Sequence, residues 1–232
     1  NLAQNIMVID DLADRSHDCD LLLDQGPVRS PEDYAGLVPA HAYVLAGPGY
    51  ALLDPAYGDF SDRNLAGVPD KPAAIFVSFG ATDPRNFTVR GLDALEGSAV
   101  AGPVNVVLGA AAPHREEVST RLKSWGSEAT LHIDTPEVIP LLADSFLAIG
   151  AGGVSALERC CCGVPSVIAM TADNQRAAAT GMRAAGAAQL IDLDDITGAS
   201  NAIADFAGQP DKLARIAVAG KLLCDGRGGR RV

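Results

Sequence analysis

Hydrophobic and polar positions divide the chain into two unequal stretches. From about residue 73 onward, short apolar runs alternate with longer segments in which apolar residues recur every three or four positions. "AAIFVSFG", "PVNVVLG", "ATLHID", "FLAIGAGG", "PSVIAM" and "AQLID" are runs of strand length. Between them, "ATDPRNFTVRGLDALEG", "HREEVSTRLKSWG", "TPEVIPLLADS", "VSALERCCCG" and "DNQRAAATGMRAAGAA" carry turn residues followed by helical spacing. Two further helices are expected within 200–223. Strands alternating with helices at this interval predict a parallel sheet covered on both faces. Upstream, "NIMVID" and "CDLLLDQ" predict two more buried parallel strands, each with an acidic end. Residues 26–70 are rich in Pro, Gly, Tyr and Asp with poor periodicity, which predicts a loop-rich connection between domains.

In folds of this class ligands sit beyond the carboxyl ends of the strands. The loops beginning at Gly80, Asp134, Gly150 and Met170 are therefore expected to line one crevice. The most informative is "GAGGVSALE". Gly152 and Gly153 permit a tight strand-to-helix turn and a close approach of ligand to backbone. The helix beyond them offers unpaired N–H groups and a positive dipole end, which suit a phosphate or diphosphate. A plain turn with no ligand fits the same residues. Ser155 stands where a dinucleotide fingerprint needs its third glycine, and the next strand ends at Met170-Thr171 with no acidic residue, so NAD or FAD is disfavoured. Ser155 to Glu158 fits a capping box, and Glu158 equally fits an acceptor for a vicinal diol such as ribose.

Composition narrows the chemistry. Asp+Glu 29 against Lys+Arg 18 gives a net charge of −11, which excludes attraction of nucleic acid or anionic membrane by the overall field while leaving room for a local phosphate site. Five cysteines occur without zinc spacing, and the contiguous Cys160, Cys161 and Cys162 point in different directions around a helix, so they are expected to be reduced packing residues. A cytoplasmic location follows from that reduced cysteine usage. In "SFGATDPRNFT", Thr82 and Asp83 are candidates to cap a helix with Pro84 at its first position, or to present donors to the crevice. Asp173, Asn174 and Gln175 form a polar loop suited to a hydroxyl- and amide-rich ligand, or a simple cap. The cluster Asp10, Asp11, Asp14, Asp18, Asp20 with His17 fits a solvated strand end, a metal site or a general base.

Taken together, "VIDDLADRSHDCDLLLDQ", "GPGYALLDPAY", "VSFGATDPRNFT", "IGAGGVSALERCCCGVPSVI", "ADNQ" and "DGRGGRRV" resemble the UDP-2,4-diacetamido-2,4,6-trideoxy-β-L-altropyranose hydrolases of pseudaminic acid biosynthesis, whose relatives are often labelled spore-coat polysaccharide proteins. The second half also resembles the carboxy-terminal domain of MurG-type glycosyltransferases. The resemblance implies an α/β, GT-B-like architecture of Rossmann-type parallel sheets. Residues 1–70 would be a remnant of the amino-terminal domain with the inter-domain connection, and 71–232 a nearly complete UDP-binding domain. It implies that Gly152, Gly153, Val154 and Ser155 approach the diphosphate, that Glu158 takes the ribose hydroxyls, and that the loop around His132 to Thr135, with His132 and Ile133 at its start, flanks the uracil. Gly80 and Thr82 would close on phosphate or sugar, and Asn174, Gln175 and Asp11 would face the sugar. The implied reaction is water attack at the anomeric carbon with inversion and UDP leaving, on a UDP-sugar substrate, with no metal and no cofactor expected; the acidic composition already argues against nucleic-acid and membrane partners. The family base is a histidine in an amino-terminal glycine-rich loop. His17 does not match that motif, so the chain is expected to bind UDP weakly without turnover, with Asn174 as a possible catalytic contributor. A MurG-type transferase and a non-catalytic nucleotide-binding module are the alternative readings.

Overall fold

The computed structural model describes residues 4–63, 74–125, 128–171 and 176–232. Nine strands form two all-parallel sheets among them. The smaller holds β1 (Met7–Ile9), β2 (Leu21–Asp24) and β3 (Tyr43–Ala46) in that order. The larger is built from β4 (Ala74–Ser78), β5 (Val104–Leu108), β6 (Ala129–Ile133), β7 (Ser145–Ala151), β8 (Ser166–Ala169) and β9 (Gln189–Ile191), in the order β6-β5-β4-β7-β8-β9. The α/β class and parallel sheets expected from the alternation are present.

The larger sheet shows why its central strands read as unbroken apolar runs. Side chains alternate between faces, and both faces are covered. Ile75, Val77, Leu147, Ile149 and Val167 pack with Leu92, Leu95, Ile203 and Phe206 of α2 (Phe87–Gly97) and α7 (Ile196–Ala207). Phe76, Ala148 and Ile168 point the other way, into a cluster with α1 (Pro55–Arg63) and α5 (Val154–Cys162). Helix α3 (Arg115–Lys123) precedes β6, α4 (Val138–Ala143) precedes β7, and α6 (Arg176–Ala184) precedes β9. Helices α8 (Pro210–Leu223) and α9 (Gly228–Arg231) complete the chain, so the last helices begin earlier and extend further than 200–223.

Strand order reverses between β4 and β7, because β4 to β6 extend one way and β7 to β9 the other. A crevice at such a switch point is where open α/β sheets bind ligands. Two glycines shape it. Gly80 has φ +100°, a conformation that side-chain-bearing residues rarely adopt, and it turns the chain away from β4. At Gly150 a Cβ would overlap the Ser78 carbonyl oxygen, so only glycine lets β7 lie this close to β4.

The connection is more ordered than its sequence suggests. Residues 26–70 contain β3 and α1 rather than loop alone. Tyr43 on β3 is exposed, which hides the strand's alternation. Helix α1 is seated by tertiary contact: Tyr57 belongs to the same buried cluster as Leu157, Cys160 and Cys161 of α5. The carboxy-terminal segment returns to this region, with Gly228 against Ala51 and Gly226 against Gly58. The boundary expected at residues 70–71 lies outside the described residues.

Candidate functional site

Helix α5 follows β7 with only Gly152 and Gly153 between them. Gly153 is the N-cap, in an extended conformation with φ −77° and ψ −158°, so neither left-handed backbone nor Ser155 begins this helix. That corrects the capping box. Ser155 is already inside the first turn, no side chain caps the helix, and Glu158 is left for other partners. The free N–H groups of the first turn face the crevice end of the sheet.

The first turn separates two cavities. On one side, Ser155, Glu158 and Arg159 share a helix face and line a cavity of about 330 Å³ with Gly80, Asp134 and Thr135. On the other, Val154 and Leu157 line a cavity of about 200 Å³ with Gly152 and Gly153, Met182 of α6, and Asp11, Gln25 and Arg29 from the smaller sheet's loops. The second cavity thus lies between the two sheets. Polar groups enter it mainly from the small-sheet side.

Arg159 is buried to 1% exposure behind this turn. Its Nη2 donates to the Ala151 carbonyl oxygen at 2.6 Å, its Nε to Ser166 Oγ at 3.3 Å, and its Nη1 to Ser155 Oγ at 3.4 Å. All three acceptors are uncharged. Burial lowers its pKa to about 10, with the neighbouring Glu158 charge acting in the opposite direction. A fixed cation therefore stands under a helix N-terminus, and both favour an anion at the same place. Glu158 is held the other way: burial raises its carboxyl pKa, while Arg159 and a hydrogen bond from Tyr57 oppose the rise.

The smaller sheet contributes a rigid loop base. Asp10 and Asp24, at the carboxyl ends of β1 and β2, are both buried and share the Tyr34 hydroxyl, at 3.0 and 2.7 Å. Arg29 Nε meets Asp24 at 3.1 Å while its Nη2 donates to the carbonyls of Asp11 and Leu12 at 3.0 and 2.8 Å. This ties the Asp11 loop to the Gly26–Arg29 loop on the cleft wall. The acidic cluster is thus neither a solvated strand end throughout nor a metal centre: among the described residues no group of three or more His, Cys, Asp or Glu is arranged to hold a metal. His17 lies 3.5 Å from Asp10 and lines neither cavity.

The remaining expected residues separate. Gly80, Ser155 and Glu158 meet at the larger cavity; Gly152, Gly153, Val154 and Asp11 meet at the smaller. His132 and Ile133 line neither. Both lie on β6, where His132 Nε2 is 2.9 Å from Asn105 Oδ1, and it is Asp134 and Thr135 just beyond the strand that reach the cavity. Thr82 is exposed, and the helix after it starts at Phe87, not at Asp83-Pro84. Asp83 still serves that helix, accepting from the N–H groups of Phe87 and Thr88 at 2.9 and 2.7 Å. Asn174 and Gln175 lie outside the described residues. Arg159, Tyr57 and Arg29 were not singled out from the sequence, since a charged residue in a helix and residues of an aperiodic segment carry no local signal of burial.

With this geometry in view, comparison with known proteins gives the fold its place. No family model matches the chain. The spore coat polysaccharide biosynthesis protein SpsG of Bacillus subtilis is 27% identical over 161 residues, covering 68% of this chain and 47% of SpsG. An uncharacterized protein of Methanocaldococcus jannaschii is 26% identical over 133 residues, covering 56% of this chain and 28% of its own length. The chain thus spans less than half the length of these curated relatives. Acinetobacter baumannii MurG superposes with a TM-score of 0.62 at 17% identity, over 91% of this chain and 64% of MurG. The putative UDP-N-acetylglucosamine 2-epimerase of Listeria monocytogenes gives 0.63 at 14% identity, over 92% of this chain and 57% of the epimerase. The fold is GT-B-like. Spinosyn rhamnosyltransferase SpnG, solved with thymidine diphosphate, also matches, with a TM-score of 0.57 at 16% identity over 92% of this chain and 54% of SpnG. No helix among the described residues is long and apolar enough to cross a membrane.

Proposed function

We propose that this chain carries the nucleotide-binding part of a nucleotide-sugar enzyme, and that the enzyme hydrolyses a UDP-diacetamido-trideoxyhexose. The observation that carries the reading is the first turn of α5, which places free N–H groups between two cavities and turns Glu158 and Arg159 into the larger. A diphosphate fits the turn, with Gly152, Gly153, Val154 and Ser155 around it. Ribose lies toward Glu158 and the base toward Asp134 and Thr135. The sugar occupies the cavity between the sheets, beside Asp11 and Gln25. Residues 1–70 and 71–232 are the two domains on this reading. Fixed donors at the leaving oxygen lower the cost of the charge that develops on UDP as the anomeric C–O bond breaks and water adds. The sequence resemblance favours the hydrolase, and the similarity to the spore coat polysaccharide biosynthesis protein SpsG is compatible with a nucleotide-sugar role of either kind. The likeness to MurG supports a second reading, sugar transfer to an acceptor, with the same donor site.

Calorimetric titration with UDP tests the site. Glu158→Gln keeps size and hydrogen-bonding shape but removes the charge. It is expected to weaken UDP by about tenfold to a hundredfold, the scale of a hydrogen bond to a charged acceptor, with little change in melting temperature. UDP binding that is unaffected by Glu158→Gln would refute the ribose assignment. Free sugar released from UDP-sugar by the whole enzyme without acceptor separates hydrolysis from transfer.

A further inference from the structure

The polar side of the cavity between the sheets comes from two loops of the small sheet. β1 and β2 are parallel, so the Asp11 loop and the Gly26–Arg29 loop leave the same end of that sheet. Arg29 joins them. Its Nε lies 3.1 Å from Asp24 Oδ2, and its Nη2 donates to the carbonyls of Asp11 and Leu12 at 3.0 and 2.8 Å. Asp24 is buried and also accepts from the Gly26 N–H at 2.7 Å, while the Arg29 N–H donates to the Gly26 carbonyl at 3.2 Å and closes the turn. A Cβ on Gly26 would sit 2.9 Å from both Asp24 Oδ1 and Arg29 Cγ, so the turn has room for glycine only. The tip of the loop is seated on a helix of the other sheet. A Cβ on Gly181 of α6 would overlap Val28 Cγ1, so Val28 rests directly on that helix's backbone.

We propose that Arg29 is a positioning residue for the sugar: together with Val28 seated on Gly181, it holds the Asp11 and Gly26–Arg29 loops as one wall, and this clasp sets which sugar the cavity between the sheets accepts. The proposal rests on the nucleotide-sugar reading above. Val154, Leu157, Ala177, Ala178 and Met182 give the large-sheet wall no polar side chain, so directional recognition falls to Asp11, Gln25 and Arg29. Gln25 Oε1 already accepts from the Leu52 N–H at 3.0 Å, which leaves its amide nitrogen to donate, while the Asp11 carboxylate accepts. An acetamido group offers a carbonyl for the donor, an N–H for the acceptor and a methyl for the apolar wall. Such pairs discriminate between sugars only at a fixed spacing, because a polar group left without its partner costs affinity. Lysine cannot replace arginine in the clasp. An ammonium is a single point charge, whereas the guanidinium fork reaches Asp24 and two carbonyls at once.

The test compares the unaltered full chain with Arg29→Lys and Gly181→Ala. Alanine is the better helix former, so Gly181→Ala keeps α6 while displacing Val28. Calorimetry gives dissociation constants for UDP, UDP-glucose and the UDP-diacetamido-trideoxyhexose. The unaltered chain is expected to prefer the diacetamido sugar to glucose, and each variant to lose about tenfold of that preference, the scale of one hydrogen bond to a charged group. UDP itself is expected to bind both variants as it binds the parent. A preference that either variant leaves unchanged overturns the proposal. So does equal weakening of all three ligands with a lowered melting temperature, which marks a structural role only. Should Arg29→Lys not fold, Gly181→Ala decides alone. An unaltered chain that binds UDP but treats the two sugars alike overturns the proposal and leaves the nucleotide site standing. A folded, unaltered chain that does not bind UDP refutes the nucleotide reading itself and this proposal with it.

Discussion

Replacing Arg159 by Met separates what holds the fold from what serves the anion. The side chain is buried, and burial lowers the guanidinium pKa from 12.5 to about 10. That displacement corresponds to a penalty of about 3 kcal/mol for carrying the charge in the folded state. Against it stand the short bond to the Ala151 carbonyl and two longer ones to Ser166 and Ser155. A hydrogen bond from a charged donor is worth about 1.5–3 kcal/mol net, and the two longer ones less. The gain and the cost are of one size, so a Met of similar length is expected to leave stability within about 1 kcal/mol of the parent, as when a buried ionic group is replaced by apolar volume. Anion affinity has no such offset. At about 6 Å and an effective dielectric of about 20, a cation and one phosphate charge attract by about 3 kcal/mol, roughly a hundredfold in affinity. Denaturant melts give the first quantity, and calorimetry with UDP, UMP and uridine the second. The expected loss is greatest for UDP, smaller for UMP and slight for uridine. A stability loss well above 3 kcal/mol with an unchanged preference among the three ligands would assign Arg159 to the fold alone.

Two further outcomes follow from other buried groups. Tyr34→Phe strips one donor from two buried carboxylates and is expected to cost about 2–4 kcal/mol near neutral pH. Burial raises the Asp24 pKa against the pull of Tyr34; at Asp10 burial acts upward too, but the Ala13 N–H, Tyr34 and the Leu12 N–H hold the carboxyl below its usual value. Because the Tyr34 bond lowers both, its loss raises both folded values, so the deficit grows as pH rises above the ordinary Asp range and vanishes below it; denaturant melts from pH 3 to 8 with a pH-independent deficit would contradict this. The five cysteines are free and buried, and burial pushes the Cys160 and Cys161 thiols up to about 12. Thiol reagents at pH 8 should reach them only with unfolding, and rapid labelling of the folded chain would show that they are not packing residues.

The parts of the fold that could be read from sequence are those whose signal is local. Strands β4, β7 and β8 are buried on both faces, so each shows as an unbroken apolar run, and the glycines after β7 mark where the helix begins. Strand β3 and helix α1 left no such mark, because Tyr43 stays exposed and α1 gains its burial only against α5. The same distinction runs through the site. The strand-to-helix turn proposed for the anion was visible in "GAGGVSALE" because glycine, strand and helix are adjacent in the chain. Its first residue was misplaced: Gly153 takes the extended cap conformation, which makes Val154 the first and Ser155 the second residue of the helix. Arg159 gave no warning, since its burial is set by β7 and β8 on one side and by the helix's own turn on the other. Tyr57 gave no warning either, since it is buried only where α1 packs against α5.

The two cavities divide the recognition problem along one helix turn. Residues spaced three or four apart on α5 face the larger cavity through Ser155, Glu158 and Arg159, and Val154 and Leu157 face the smaller. An extended ligand with a charged middle can therefore straddle the turn, with its anion on the N–H groups and its ends on opposite sides. The wall of the smaller cavity that faces α5 comes from the other sheet, through loops fixed by Arg29 and by the shared Tyr34 proton. On the proposed reading, affinity for the anion and the diol belongs to the large sheet and α5, while selection of the group at the other end depends on how the small sheet's loops are held. Changes at Asp11 or Gln25 should then alter which sugar is accepted and leave UDP affinity unchanged, whereas changes at Glu158 or Arg159 should act on every ligand that carries the nucleotide.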